Sequence, residues 1–168
     1  DRSEYFPAVL LEPHVDDNAA TIGFDLGAES EQVEAMNRAR DSDLPAVTEL
    51  LTPNPAAGRS GREFVLYLPI YRRGEPVEST EQRRRALVGF VFSRLSPDVI
   101  FSDSISAATI RYLDIAIYDT SKDTDALLVS SGTGKGKVRS SEKLMIGGRQ
   151  WLLVASSRQS NMAALPPE

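Results

Sequence analysis

The chain has no cysteine, which removes disulfide frameworks, thiolate metal sites and cysteine nucleophiles together. Histidine is nearly as scarce. The single one, His14, would have to serve any histidine-based zinc site or Ser-His-Asp triad. With Glu12, Asp16 and Asp17 beside it in sequence, it suits a weak metal contact or a plain solvated loop, and no metal site or catalytic residue is assigned. Long apolar runs are missing too: no stretch approaches the roughly 20 residues that cross a bilayer, and no secretory leader is visible. Nor is there an excess of basic charge. Nineteen Lys and Arg stand against 24 Asp and Glu, for a net charge of −5, the wrong sign for a general nucleic-acid binder.

What is present suits one compact domain or two small lobes: 168 residues, 41% of them hydrophobic. The run Tyr5–Glu12 reads as a strand, 13–21 as a polar loop and Ile22–Leu26 as a short extended piece. A helix is expected over 28–42, with Glu29 and Glu31 in its first turn and Arg38 and Arg40 in its last. Strands follow at 45–51, 63–71 and 86–94, separated by a Pro/Gly/Asn-rich loop and by a polar loop with the basic run Arg83–Arg84–Arg85. Pro69 suggests an edge position, and Gly89 a bulge or a close backbone approach. Ser96-Pro97-Asp98 is a helix start, and that helix should reach about Ala108. Strands at 111–118 and 126–130 precede a hairpin, 138–146 with 150–156, turning at Gly147-Gly148. The Ala/Pro-rich tail is linker-like. Mostly antiparallel strands with about two helices make an α+β pattern.

Few of these residues point to chemistry. Ser131–Val138 (SGTGKGKV) has the glycines and lysines of an anion cradle but not the phosphate-loop spacing, so a basic hairpin loop is the simpler reading. The arginine run reads as a solvated loop or a contact for an anionic surface. Asp25 lies between Phe24 and Leu26, with Gly23 and Gly27 outside them. It is either a cap or solvent-facing acid, or a buried one needing a partner, such as a ligand N–H. No paired acids stand out for acid–base work, so the chain is not read as an enzyme.

The order of phrases is more informative. Tyr5-Phe6-Pro7-Ala8-Val9 leads to Glu12-Pro13 and Asn18, then to Gly23-Phe24-Asp25-Leu26, Arg38-Ala39-Arg40-Asp41, Val65–Tyr71 and Gly89-Phe90-Val91. This series resembles a CHASE domain, the extracellular sensory module ahead of histidine kinases and nucleotide cyclases, and more distantly the hormone-binding domain of plant cytokinin receptors. The likeness is strongest over 5–95. It implies a long N-terminal helix, absent from this chain, followed by two PAS-like lobes with antiparallel sheets, of which the membrane-distal one holds ligand. The expected division is 1–95 for that lobe, 96–160 for the membrane-proximal lobe and 161–168 for a linker toward a membrane helix. By the same resemblance Asp25 stands where an aspartate bonds an adenine ring, Ser42 where a threonine matters, and Val47 where a leucine touches ligand. Phe24, Leu66 and Leu68 join them as candidate walls. The chain is thus expected to be a piece of a membrane receptor, periplasmic or extracellular. Its partner would be a small molecule of unknown identity, with no cofactor, no nucleic acid, a homodimeric full-length receptor and membrane attachment through helices outside this chain. A ligand-free dimerisation or protein-interaction module is the alternative.

Overall fold

The computed structural model describes residues 4–12, 20–123, 125–132 and 136–158. His14, Asp16 and Asp17, most of the glycine-lysine loop and the tail lie outside the described residues. The chain is a mixed α and β protein. It divides into two compact units, Asp1–Ser96 and Pro97–Glu168, each with one antiparallel sheet.

In the first unit, α1 (Ser30–Ser42) buries Gln32, Ala35, Met36 and Ala39, a stripe at helical spacing. It ends where Asp43 turns left-handed, at φ 59°, and donates its N–H to the Ala39 carbonyl. The stripe packs on a three-stranded sheet in the order β1 (Ala46–Val47), β2 (Phe64–Tyr71), β3 (Leu87–Leu95). Alternation along β2 sends Val65 and Tyr67 into the core with Met36, Ala35 and Leu26. Pro69 is tolerated because β1 reaches only Leu66 and Tyr67, which leaves β2 paired on one side beyond them. The bulge lies one residue from Gly89: Ile70 pairs with Gly89 but Tyr71 with Leu87, and Val88 is the extra residue.

Three sequence expectations need correction here. Tyr5–Glu12 is extended but not a strand; it meets the chain at two isolated bridges, Pro7 with Asp25 and Ala8 with Ile22. The short 45–51 strand shrinks to Ala46–Val47. The basic run is helical: α2 (Thr80–Ala86) is opened by a capping box in which Ser79 and Gln82 exchange side-chain and backbone bonds. Asp41 then ties α2 to α1. Its carboxylate takes Arg84 at 2.5 Å, and its carbonyl takes Arg83.

The second unit begins with two helices rather than one, α3 (Pro97–Ser104) and α4 (Ala107–Tyr112), because Ser106 caps a new start by accepting from the Thr109 N–H. Its sheet runs β5 (Ala126–Ser130), β4 (Leu113–Asp119), β7 (Arg149–Ser157), β6 (Val138–Ile146). The expected β6–β7 hairpin turns at Gly147 and Gly148, both at positive φ. Two ion pairs brace this sheet: Asp119 with Arg149 at 2.6 Å, both buried, and Asp114 with Arg158 at 2.7 Å. Gly132 packs so closely on Asp114 that a Cβ would stand 2.1 Å from its Oδ1, a structural reason for glycine at that end of the loop. Among the described residues no helix is long and apolar enough to cross a membrane.

Candidate functional site

The first unit holds an open cleft of about 670 Å³. One wall is the extended segment Tyr5–Glu12 and the other is Val88–Phe92 of β3; Leu26, Met36 and Tyr67 form the floor, and Ile70 completes the lining. β3 is the edge strand of its sheet, which leaves room for this second wall beside it. Backbone bonds hold the Tyr5–Glu12 wall to the 21–26 segment. Ala8 N donates to Phe24 O at 3.0 Å, Gly23 N to Ala8 O at 2.8 Å and Leu26 N to Phe6 O at 3.0 Å. Phe6 then meets Phe90 edge to face, with ring centroids 5.6 Å apart, so the walls touch at their base.

The floor is fixed from behind by a polar chain. The fully buried Tyr67 hydroxyl donates to Gln32 Oε1, and Gln32 Nε2 donates to Glu29 Oε2. Glu29 also takes both terminal nitrogens of Arg59, at 2.8 and 3.1 Å, and Asn54 Nδ2 at 2.8 Å. Burial pushes the Glu29 carboxyl up, but the bonds from Arg59 and Asn54 outweigh it and hold the group below its ordinary value. Burial, helped by the Glu29 charge, pushes the Tyr67 phenol well above its usual range, so it stays protonated and remains a donor. Tyr67 is therefore a ring of fixed orientation.

The sequence-predicted residues do not line this cleft. Asp25 is half-buried, and its Oδ1 accepts from Phe6 N at 2.8 Å and from Gly27 N at 3.0 Å. The second bond caps the short 3-10 turn Leu26–Ala28; the first holds a wall of the cleft. Phe24 packs against the core. Val47 is buried on β1 opposite Leu66, and its carbonyl accepts from Arg38 at 2.5 Å. Leu66 and Leu68 alternate with Tyr67 and so face away from the α1 side; Leu68 is exposed. Ser42 is exposed and closes the end of α1, donating to the Arg38 carbonyl at 2.7 Å and accepting from Leu44 N at 3.2 Å. None of the six is among the residues that line the cleft.

Sequence reasoning did not single out Phe6, Met36 or the pair Phe90 and Phe92, which line the cleft. The alternation of Phe90 and Phe92 along β3 was a usable signal. Their meeting with residues 5–12 was not, because it depends on tertiary contacts. Among the described residues no cluster of three or more acidic or imidazole groups is placed to hold a metal ion. The described lining is an apolar, aromatic recess of the kind that binds small molecules. Compared with known families, residues 1–129 match the family model of the CHASE domain. No curated protein matches the chain.

Proposed function

The chain belongs to the CHASE domain family, and on that premise we propose that it is the ligand-sensing part of a transmembrane receptor, with its small-molecule site in the cleft of the first unit. CHASE domains are extracellular sensory domains rather than catalysts. The observation that carries the reading is the cleft itself: its volume of about 670 Å³ falls within the range of roughly 300–1,000 Å³ typical of small-molecule sites, and its floor is held rigid by the Tyr67 network. In this account Asp25 is a positioning residue that sets the Phe6 wall through the backbone. The two units are the two PAS-like lobes, and the first is the membrane-distal one. Ligand binding favours one conformation of a homodimeric receptor by its tighter affinity for that state. The change passes through membrane helices outside this chain to a cytoplasmic kinase or cyclase.

A second reading has its own support. Val9, Leu10, Val88 and Val91 at the cleft are exposed, at 85%, 74%, 65% and 56%, and such a rim also suits a protein partner. A thermal-shift screen of small metabolites, adenines among them, separates the two when run on the wild type and on Phe90→Ala. Phe90 lines the cleft, half-buried, and its ring meets Phe6 and Tyr67, so its truncation removes an aromatic wall from the recess. A ligand at 100 times its dissociation constant stabilises by about 2.7 kcal/mol. The sensor reading expects such a shift in the wild type and its loss or marked reduction in a folded Phe90→Ala. A shift that persists unchanged in Phe90→Ala refutes this site, and no shift across the panel favours the protein-contact reading.

A further inference from the structure

The lining of the cleft also bears on the charge of what it takes, an inference that rests on the cleft being the ligand site. Five aromatic residues line the cleft, Tyr5, Phe6, Tyr67, Phe90 and Phe92, and Phe6, Phe90 and Phe92 stand half-buried around the fully buried Tyr67. Tyr67 stands with its centroid 5.8 Å from Phe90 and 6.2 Å from Phe92, and Phe6 adds its own contact to Phe90. Among the described residues that line the cleft there is no lysine or arginine, and the one charged side chain is Glu12, exposed at the end of the Tyr5–Glu12 wall. The nearby guanidinium of Arg59 is already committed to Glu29 and to the Thr52 carbonyl behind the floor. A carboxylate or phosphate entering the cleft would give up water for apolar carbon and meet a like charge at the rim, with no lysine or arginine among the described lining residues to compensate. A positive charge meets the opposite situation. Aromatic rings carry negative faces that attract cations, and Glu12 supplies a full negative charge where the cleft opens.

We propose that the cleft takes an organic ammonium ion with an apolar, ring-sized body, the body lying on the half-buried rings of Phe6, Phe90 and Phe92 and the ammonium directed toward Glu12. The site would discriminate against anions of the same shape.

Three probes with one ring system and three charges test this: 2-naphthylmethylamine, 2-naphthalenemethanol and 2-naphthoate, titrated at pH 7 against the chain by calorimetry. The amine is expected to bind about three- to tenfold more tightly than the alcohol, the combined effect of cation–π attraction and a rim ion pair, and the carboxylate most weakly. Glu12→Gln should reduce the amine's advantage over the alcohol; Glu12 is exposed, so the variant keeps its fold. Raising the salt concentration should weaken the amine alone. An alcohol that binds as tightly as the amine, or a carboxylate that binds best, overturns the ammonium assignment while leaving the cleft a ligand site. If all three probes bind but none is weakened in Phe90→Ala, the cleft reading fails with it.

Discussion

One carboxylate oxygen of Asp25 accepts from two backbone amides, at Phe6 and Gly27. This joins the start of the chain to the turn before α1 and sets the cleft wall. Hydrogen bonds to a charged group contribute about 1.5–3 kcal/mol each at most. Asp25→Ala should therefore destabilise the first unit by about 1.5–3 kcal/mol in urea unfolding. Asp25→Asn keeps an acceptor and should recover most of that loss. Tyr67→Phe removes the donor that pairs with the buried Gln32 Oε1 and should cost about 1–3 kcal/mol. Glu29 gives the network a pH signature. Its folded pKa lies below the ordinary value of 4.5, so its stabilising contribution is complete above that value and is lost as the pH falls below it. Acid unfolding followed by circular dichroism should show stability declining from about pH 4.5 downward, and Glu29→Gln, starting from a lower plateau, should show a shallower decline. A decline equally steep in Glu29→Gln would show that other carboxylates, such as Asp119 held down by Arg149 against its burial, set the acid limit.

At the scale of elements, much was legible where the signal is local. The acidic start and basic end of α1, and the Gly147-Gly148 turn between two alternating runs, name their elements without help from the rest of the chain. Gly148 has φ 74°, a conformation that costs a side chain roughly 1–2 kcal/mol. Gly148→Val should lower the stability of the second unit by about that amount or more, measured by denaturant unfolding; no change would mean that the hairpin turn tolerates the side chain. Two helices were harder to read because caps hide among polar residues. Ser79 and Gln82 form a capping box inside a stretch that reads as a loop, since the arginines after them give no apolar stripe. Ser106 interrupts what looks like one helix because its hydroxyl captures the Thr109 N–H. The cleft was the least legible feature. Its parts lie near residues 6, 36, 67 and 90, and no periodicity links them. The family phrases passed through Phe6, Tyr67 and Phe90 without showing that they meet.

At the scale of the molecule, the CHASE family match covers residues 1–129, which takes in the whole unit that contains the cleft. The central claim is that a small molecule occupies that cleft. Methionine-methyl NMR tests it most directly, because Met36 lies in the floor while Met145 is 69% exposed on β6 of the second unit. With the chain labelled at its methionine methyls and titrated with the naphthyl probes, the account predicts a saturable shift of the Met36 resonance with Met145 unmoved. A ligand that binds with no change at Met36, or that shifts Met145 instead, would contradict it.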